Sequence, residues 1–447
     1  FAACVTSPES RNMIGTLWYQ LNAIRKGASR PSEPAHSKVR KLGILGAGMM
    51  GAGIAYISAK AGIEVVLLDT SLENAEKGKA YSQGLMDKAV KKGHKNADQR
   101  DALLARIKPT VDHAALWGCE LIIEAVFEDR AVKAEVTKLA EPQLGAKGVF
   151  ASNTSTLPIT GLAAASARPA NFIGLHFFSP VDKMPLVEII VGEQTSDETL
   201  ARAFDFVQQI GQTPIVVNDS RGFYTSRVFA TYVMEGLAML KEGVHPRSIE
   251  VAGLQAGMPM PPLALQDEVS LSLGVHVAEQ TRKDLAAEGK TYEPHPGETV
   301  LRQLCEIGRI GRKAGQGFYD WPADGERGEK RLWPGLAGMF PVAAEQPRQE
   351  ELIERLLYAQ ANEAARCLEE GVLRSVADGN VGSILGWGFA PFCGGALQFV
   401  NSVGPTHFVR RARELAARHG QRFKPAANIV ELARRGEFFE QGGPAES

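Results

Sequence analysis

Two groups of residues in this 447-residue chain have the types and spacing that chemistry requires. The first centres on His176, which lies in NFIGLHFFSP, followed by VDKM and then PLVEIIVG. This reads as two β-prone runs joined by a polar turn with Asp, Lys and flanking Pro, and a hairpin is the simplest arrangement. With the turn centred on Asp182, His176 and Glu188 are equidistant from it and oppose one another. Opposed Cβ atoms lie only about 4.5 to 5.5 Å apart. A carboxylate so placed can hold one imidazole nitrogen, fix the tautomer and stabilise the imidazolium formed when the other nitrogen takes a proton. That is the equipment of a general base, although the same pair also fits a hairpin closed by a structural ion pair.

The second group is Gly46, Gly48 and Gly51, a G-x-G-x-x-G directly after the strand-like LGIL and at the head of a helix reading GMMGAGIAYISAKAG. The first glycine permits a tight turn, the second lets backbone approach a pyrophosphate, and the third allows close helix packing. The helix N-terminus attracts negative charge. Asp69 ends the next strand, about 20 residues on, where a carboxylate accepts hydrogen bonds from ribose hydroxyls and repels a 2′-phosphate. NAD is therefore favoured, with FAD as the lesser alternative. A glycine-rich cap with an unrelated Asp is the competing reading. Ser152, Asn153, Thr154 and Ser155 crowd polar groups after another strand, at the sheet edge where ligands bind in such architectures. An ordinary strand-ending cap has the same composition.

These residues need a scaffold. From Val39 to Val217 short apolar runs (LGIL, EVVLL, ELIIEAV, GVFAS) alternate with helical patterns, which predicts a parallel sheet covered by helices. After Asn218 the β signal fades, and Ser226 to Lys241 and Glu351 to Glu370 carry helical periodicity. RVFATYVMEGLAMLKEGV from Arg227 aligns with RLLYAQANEAARCLEEGV from Arg355, so that Glu235 meets Glu363 and Gly243 meets Gly371. This is either a duplicated helical unit or shared helix composition. Ser7 and Pro8 start an amino-terminal helix whose Met13, Leu17, Leu21 and Ile24 recur at helical spacing. Residues 27–37 read as a linker, and Pro322 to Arg348 as a surface connection. The expected division is a linker helix and connector over 1–36, a Rossmann domain over 37–218, and helical domains over 219–325 and 345–436.

Fifty basic and 51 acidic side chains nearly cancel, which leaves no cationic excess for a nucleic-acid backbone. The longest uncharged stretch, Gly43 to Ala59, is broken by a glycine cluster, so no transmembrane segment is expected. The five cysteines are scattered without close pairs and read as buried thiols in a reducing compartment, with no metal site expected. The chain opens with Phe1 instead of Met, which suggests a start further upstream.

The motifs GILGAGMMGAGIA, IIEAVFED, FASNTSTLPIT, GLHFFSPVDKMPLVEII, the DSRGF to SR stretch and GRKAGQGFYDW cover nearly the whole chain. Together they resemble the L-3-hydroxyacyl-CoA dehydrogenases, above all the dehydrogenase half of the multifunctional α subunit of fatty acid oxidation complexes. The resemblance implies an α/β Rossmann-like NAD-binding domain followed by duplicated all-α C-terminal domains. It implies NAD-dependent oxidation of the 3-hydroxyl of an acyl-CoA thioester, with His176 as base, Glu188 as its partner and Ser155 at the substrate hydroxyl. NAD contacts are implied at Met50, Asp69, Val126, Phe127, Glu128, Lys133, Ser155 and Ser179, besides the three glycines. Substrate contacts are implied at Ser155 and Ser226. Where many relatives carry Asn, in HFFNP and VNR, this chain has Ser179 and Ser226, and Leu385 stands where Tyr is frequent. In relatives the amino-terminal helix follows an enoyl-CoA hydratase half, whose sequence is absent here. An oligomer, a thiolase subunit as partner and a cytoplasmic setting, or a mitochondrial matrix in a eukaryote, follow by analogy. The competing functions are a dehydrogenase of 3-hydroxybutyryl-CoA or of a free hydroxy acid, and a non-catalytic NAD-binding scaffold.

Overall fold

Runs of Val, Ile and Leu that are apolar on both faces become buried strands in the computed structural model, which describes residues 2–322 and 328–443. Phe1 and the expected boundary at 325 lie outside the described residues. The strands are β1 (Lys41–Leu45), β2 (Glu64–Leu68), β3 (Ile107–Thr110), β4 (Leu121–Glu124), β5 (Val149–Ser152), β6 (Phe172–Phe177), β7 (Leu186–Val191) and β8 (Thr213–Asn218). They form one sheet in the order β3-β2-β1-β4-β5-β6-β7-β8. Pairing is parallel from β3 across to β6, antiparallel between β6 and β7, and parallel again between β7 and β8. The expected parallel sheet is thus present, with one antiparallel step at the expected hairpin that carries His176. The order reverses between β1 and β4, which opens a crevice at their carboxyl ends.

Strand β3 escapes sequence pattern because it is an edge strand of IKPT in which only Ile107 is buried, and its proline can sit only where no ladder N–H is needed. The amino-terminal helix also departs from simple periodicity. It runs as α over Pro8–Ile14, π over Gly15–Gln20 and α over Leu21–Arg25. The wider turn rotates the buried face to Thr16, Gln20, Leu21 and Ile24, while Met13 is 40% exposed. Of the cysteines, Cys119, Cys367 and Cys393 are buried as expected, but Cys4 is exposed and Cys305 half-buried.

By packing, the chain divides into two compact units. One holds the sheet and comprises 14–226, 370–387 and 440–443; the other is helical and comprises 2–13, 227–369 and 388–439. In the sheet unit the connector is fastened by the buried Asp205, which accepts Arg30 Nε at 2.8 Å and the Ser37 N–H at 2.8 Å. Among the described residues, no helix is long and apolar enough to cross a membrane.

In the helical unit the aligned segments form the helices Thr225–Lys241, from Arg227 onward, and Gln349–Glu369. Their charges are exchanged reciprocally: Arg355 pairs with Glu235 at 2.5 Å and Arg227 with Glu363 at 2.5 Å. Because Arg227 aligns with Arg355 and Glu235 with Glu363, each copy gives its arginine to the other copy's glutamate. Arg355 and Glu235 are completely buried, and Arg422 adds a second cation on Glu235 at 2.6 Å. Burial works to raise the Glu235 carboxyl, but Arg355 and Arg422 outweigh it and hold the group below the ordinary glutamate range.

Glu235→Gln leaves a buried arginine without its main counter-charge and should cost about 3 kcal/mol or more in urea unfolding at neutral pH. A carboxyl depressed in the folded state stabilises above its unfolded value, about 4.3, and loses that contribution as the pH falls through the folded value. The gap between parent and variant should therefore narrow on acidification below about pH 4.

Candidate active site

The glycine loop follows β1 into the helix Met49–Lys60. Gly46 has φ +93°, and a Cβ there would lie 2.6 Å from the Ala125 carbonyl oxygen, so only glycine fits the turn. A Cβ on Gly51 would lie 1.8 Å from the Gly46 carbonyl oxygen, which makes that position a close helix-to-loop contact. A Cβ on Gly48 would meet nothing within 4 Å. The space over Gly48 is thus an open cradle at a helix N-terminus, the form a pyrophosphate requires. Asp69 buttresses the loop: its Oδ2 accepts the Ala47 N–H at 2.7 Å and its Oδ1 accepts the Thr70 N–H at 2.7 Å. Partial burial pushes this carboxyl up, but the hydrogen bonds from Ala47, Thr70 and Asn74 prevail and hold it below the usual aspartate range. An ionised Asp69 at the end of β2 suits a ribose diol. Met50 is half-buried and packs on the sheet's core, while its neighbour Met49 is 61% exposed.

At the end of β4, Glu124 opens a buried cluster. Lys133, only 2% exposed, places its ammonium 3.0 Å from both Glu124 oxygens and 3.1 Å from Glu128 Oε2. Ser152 donates its hydroxyl to Glu124 Oε1. Burial raises the Glu124 carboxyl despite Lys133. For Glu128, burial is more than offset by the Lys133 charge and the Thr154 hydroxyl, and the carboxyl is lowered. Glu128 Oε1 then accepts the Thr154 hydroxyl at 2.5 Å and the Ser155 N–H at 3.0 Å. Lys133 therefore faces inward and shapes the loop through Glu128. Val126 is half-buried and Phe127 is 77% exposed at the mouth of the same loop.

Asn153 joins this cluster to the hairpin. Its N–H donates to the Glu124 carbonyl at 2.9 Å, and its Oδ1 accepts the Phe177 N–H at 2.9 Å. The loop carrying Ser155 is thereby tied to the residue next to His176. Ser179, just beyond, is exposed and sets its hydroxyl 3.5 Å from Met49 Sδ, which brings it to the glycine loop.

The β6–β7 register pairs His176 with Glu188, as the equal spacing about Asp182 required. His176 Nδ1 lies 2.9 Å from Glu188 Oε2, with the imidazole 6% exposed and Glu188 fully buried. Among the described residues Nε2 has no hydrogen-bond partner in the protein, so that nitrogen is the one available to a reacting group. Phe178 stacks at a tilt against the ring, centroids 4.4 Å apart. Glu188 is held in turn by the start of the helix Thr225–Lys241: its Oε1 accepts the N–H groups of Tyr224 and Thr225, each at 3.0 Å. Sequence reasoning missed this support, and it singled out Ser152 and Asn153 without foreseeing their bonds to Glu124 and to the Phe177 N–H. The turn that delivers it has successive left-handed residues, Gly222 at φ +72° and Phe223 at φ +50°. Phe223 is fully buried 6.1 Å from the imidazole, which holds a conformation a non-glycine residue seldom adopts. Ser226 is half-buried on the next residue, with no hydrogen-bond partner among the described residues. Leu385 is half-buried.

Comparison with known proteins points the same way. The family described as 3-hydroxyacyl-CoA dehydrogenase, NAD binding domain, matches residues 41–220, and 3-hydroxyacyl-CoA dehydrogenase, C-terminal domain, matches residues 222–321. A fatty acid oxidation complex subunit alpha of Shewanella amazonensis is 36% identical over 98% of the chain, and the chain spans 61% of that relative's length. A crystal structure of (S)-3-hydroxybutyryl-CoA dehydrogenase from Ralstonia eutropha, 35% identical, covers 64% of the chain and 100% of its own, with a TM-score of 0.60. A 3-hydroxybutyryl-CoA dehydrogenase from Escherichia coli, 25% identical, covers 89% of the chain and 99% of its own, with a TM-score of 0.76.

The two glycines make a paired test of the cradle. Gly48→Val should leave the melting temperature near the parent's but weaken NADH binding, read by fluorescence, roughly tenfold or more. Gly51→Ala should lower both. Full NADH affinity in Gly48→Val would place the dinucleotide elsewhere.

Proposed function

The chain belongs to the 3-hydroxyacyl-CoA dehydrogenase family, and from that premise we propose that this site oxidises an (S)-3-hydroxyacyl-CoA to the 3-ketoacyl-CoA as a step of fatty acid oxidation. The observation that carries the reading is the buried 2.9 Å pair of His176 Nδ1 and Glu188 Oε2, positioned at the carboxyl edge of the sheet beside the loop of Ser155. Bound in the glycine cradle, NAD supplies the acceptor for the hydride that leaves the 3-carbon. The protein's own task is the proton. Glu188 holds the Nδ1 proton in place, so Nε2 is the lone pair that takes the proton of the 3-hydroxyl, and the carboxylate then stabilises the imidazolium.

Ser155 hydrogen-bonds the same substrate hydroxyl in this reading, and its backbone is kept in place by Glu128. Asp69 takes the ribose, Val126 and Phe127 line the dinucleotide, Met50 packs beneath the glycine turn, and Lys133 acts through Glu128. Ser179 lies toward the nicotinamide and Ser226 toward the acyl-CoA. Serine is shorter than asparagine, so a water completes the reach at either position. The Shewanella relative is by name a complex subunit, and we extend to this chain a partner subunit, taken to be a thiolase, within an oligomer in the cytoplasm. A narrower reading, short 3-hydroxybutyryl-CoA alone, is favoured by the names of the Ralstonia and Escherichia structures.

NADH consumption with acetoacetyl-CoA, a long-chain 3-ketoacyl-CoA and a free 3-keto acid separates these readings. Activity on both thioesters and little on the free acid is the expected pattern; equal rates on the free acid would sink the CoA assignment. His176→Ala should lower kcat by about 10² to 10⁴ with NADH binding retained. Undiminished turnover in that variant would leave a scaffold role for the pair. Ser226→Asn should move the KM for the thioester more than the Kd for NADH, and an unmoved KM would place Ser226 away from substrate.

A further inference from the structure

A carboxylate with no solvent exposure persists only when donors occupy its oxygen lone pairs. Glu188 meets that condition completely. Its Oε1 accepts the backbone N–H groups of Tyr224 and Thr225 at 3.0 Å each, and its Oε2 accepts the Thr225 hydroxyl at 2.5 Å and the His176 ring N–H at 2.9 Å. A carboxylate offers about four such acceptor positions, so the set is full. All but the imidazole come from consecutive residues at the positive end of one helix. The Thr225 hydroxyl oxygen also lies 3.4 Å from His176 Nδ1, so the hydroxyl and the imidazole crowd the same carboxylate oxygen.

We propose that Thr225 is a positioning residue that sets the base strength of His176 by competing with the imidazole for Glu188 Oε2. The proposal rests on the reading of His176 as the base. An oxygen that accepts two hydrogen bonds gives less of its charge to each. With the hydroxyl present, Glu188 orients the imidazole firmly but stabilises the imidazolium less than it otherwise could. Without it, the carboxylate's charge falls more fully on the Nδ1 proton, and the imidazole holds a proton on Nε2 more tightly.

The other charged groups around the pair are committed elsewhere. On the loop beyond β4, Glu128 is held by Lys133 and Thr154. The turn before the helix carries Asp219, bonded to the Ile159 and Thr160 N–H groups, and Arg221. Strand β8, TPIVVN, has no ionisable side chain. The helix Val376–Trp387 approaches closely at Gly386, where a Cβ would lie 3.5 Å from Thr225 Cγ2. Its one acidic residue, Asp378, is bonded to Ser29 and Ser375. Burial pushes the Asp378 carboxyl up to about 6, but among the described residues Glu188 is the carboxylate bonded to the imidazole, and the Thr225 hydroxyl shares its oxygen.

The test is the pH dependence of kcat/KM for oxidation of 3-hydroxybutyryl-CoA by the parent, Thr225→Val and Thr225→Ser. Valine keeps the volume and the methyl contact but removes the donor, whereas serine keeps the donor. The acid limb should move to higher pH by about one unit in Thr225→Val, a roughly tenfold loss of activity on that flank. It should return to the parent position in Thr225→Ser. An unmoved limb in the valine variant, or an equal shift in the serine variant, overturns the proposal. Should Thr225→Val fail to fold or to bind NADH, Thr225→Ala takes its place: the same upward shift supports the proposal, and an unmoved limb overturns it. His176→Ala is assayed alongside: retained turnover there removes the base assignment and the proposal with it, whereas lost turnover with an unmoved valine limb removes the proposal alone.

Discussion

The site depends on keeping one carboxylate charged where water cannot reach it. Glu188 is fully buried between β6 and β8, and transfer of an ionised carboxylate from water to such a place costs several kcal/mol even after relaxation. The fold meets this cost with peptide N–H groups and a hydroxyl from a helix start, together with the imidazole itself, and among the described residues no arginine or lysine is bonded to the group. On the proposed reading of His176 as the base, a full cation on Glu188 would neutralise the charge that an imidazolium there needs. Dipolar donors keep the carboxylate ionised and leave its net charge to act on the ring.

The contrast with Glu124 shows that the choice is local. There the carboxylate is equally buried but sits against a lysine, and Lys133 is shared with Glu128. Among the described residues, the group at the end of β4 faces no imidazole, so an ion pair serves. What it must do is hold the polypeptide: Glu124 takes the Ser152 hydroxyl, and Glu128 takes the Thr154 hydroxyl and the Ser155 N–H. One lysine thereby fixes the strand-ending loop on which Ser155 is presented. The hairpin is registered to that loop by the parallel pairing of β6 with β5 and, beyond the strand end, by the Asn153 bond to Phe177. Positions that must agree to within about half an ångström are set by strands and short bonds between strand ends, with no long loop intervening.

Much of this was legible in sequence, and what was not has definite physical causes. The glycine turn and Asp69 could be read because each residue has a steric or electrostatic reason visible at fixed spacing. The His176–Glu188 pair could be read because an antiparallel ladder has a period of two, and a turn fixes its register. Thr225 could not, since its role depends on a backbone turn through Gly222 and Phe223 that brings a distant helix start onto β7, and nothing in a Thr at a helix start announces a buried carboxylate opposite. The inward direction of Lys133 was equally hidden, because lysines on helices are usually exposed and only the packing of its helix against β4 turns the side chain inward. Strand β3 and the π turn at Gly15–Gln20 were hidden because each breaks the periodicity by which such elements are read.

The two aligned helices carry the same logic into the helical unit. An arginine and a glutamate two turns apart on one helix cannot reach each other. With the two helices antiparallel side by side, both cross-helix pairs close at once, Arg355 on Glu235 and Arg227 on Glu363. The two sites are not equivalent in what surrounds them. Glu235 has gained Arg422 as a further partner and is fully buried, while Glu363 shares Arg366 from its own helix. The two aligned pairs thus differ in their further partners. Removing either glutamate takes from an arginine on the other helix a counter-charge that its own helix does not replace at that position, although Arg355 keeps Glu242.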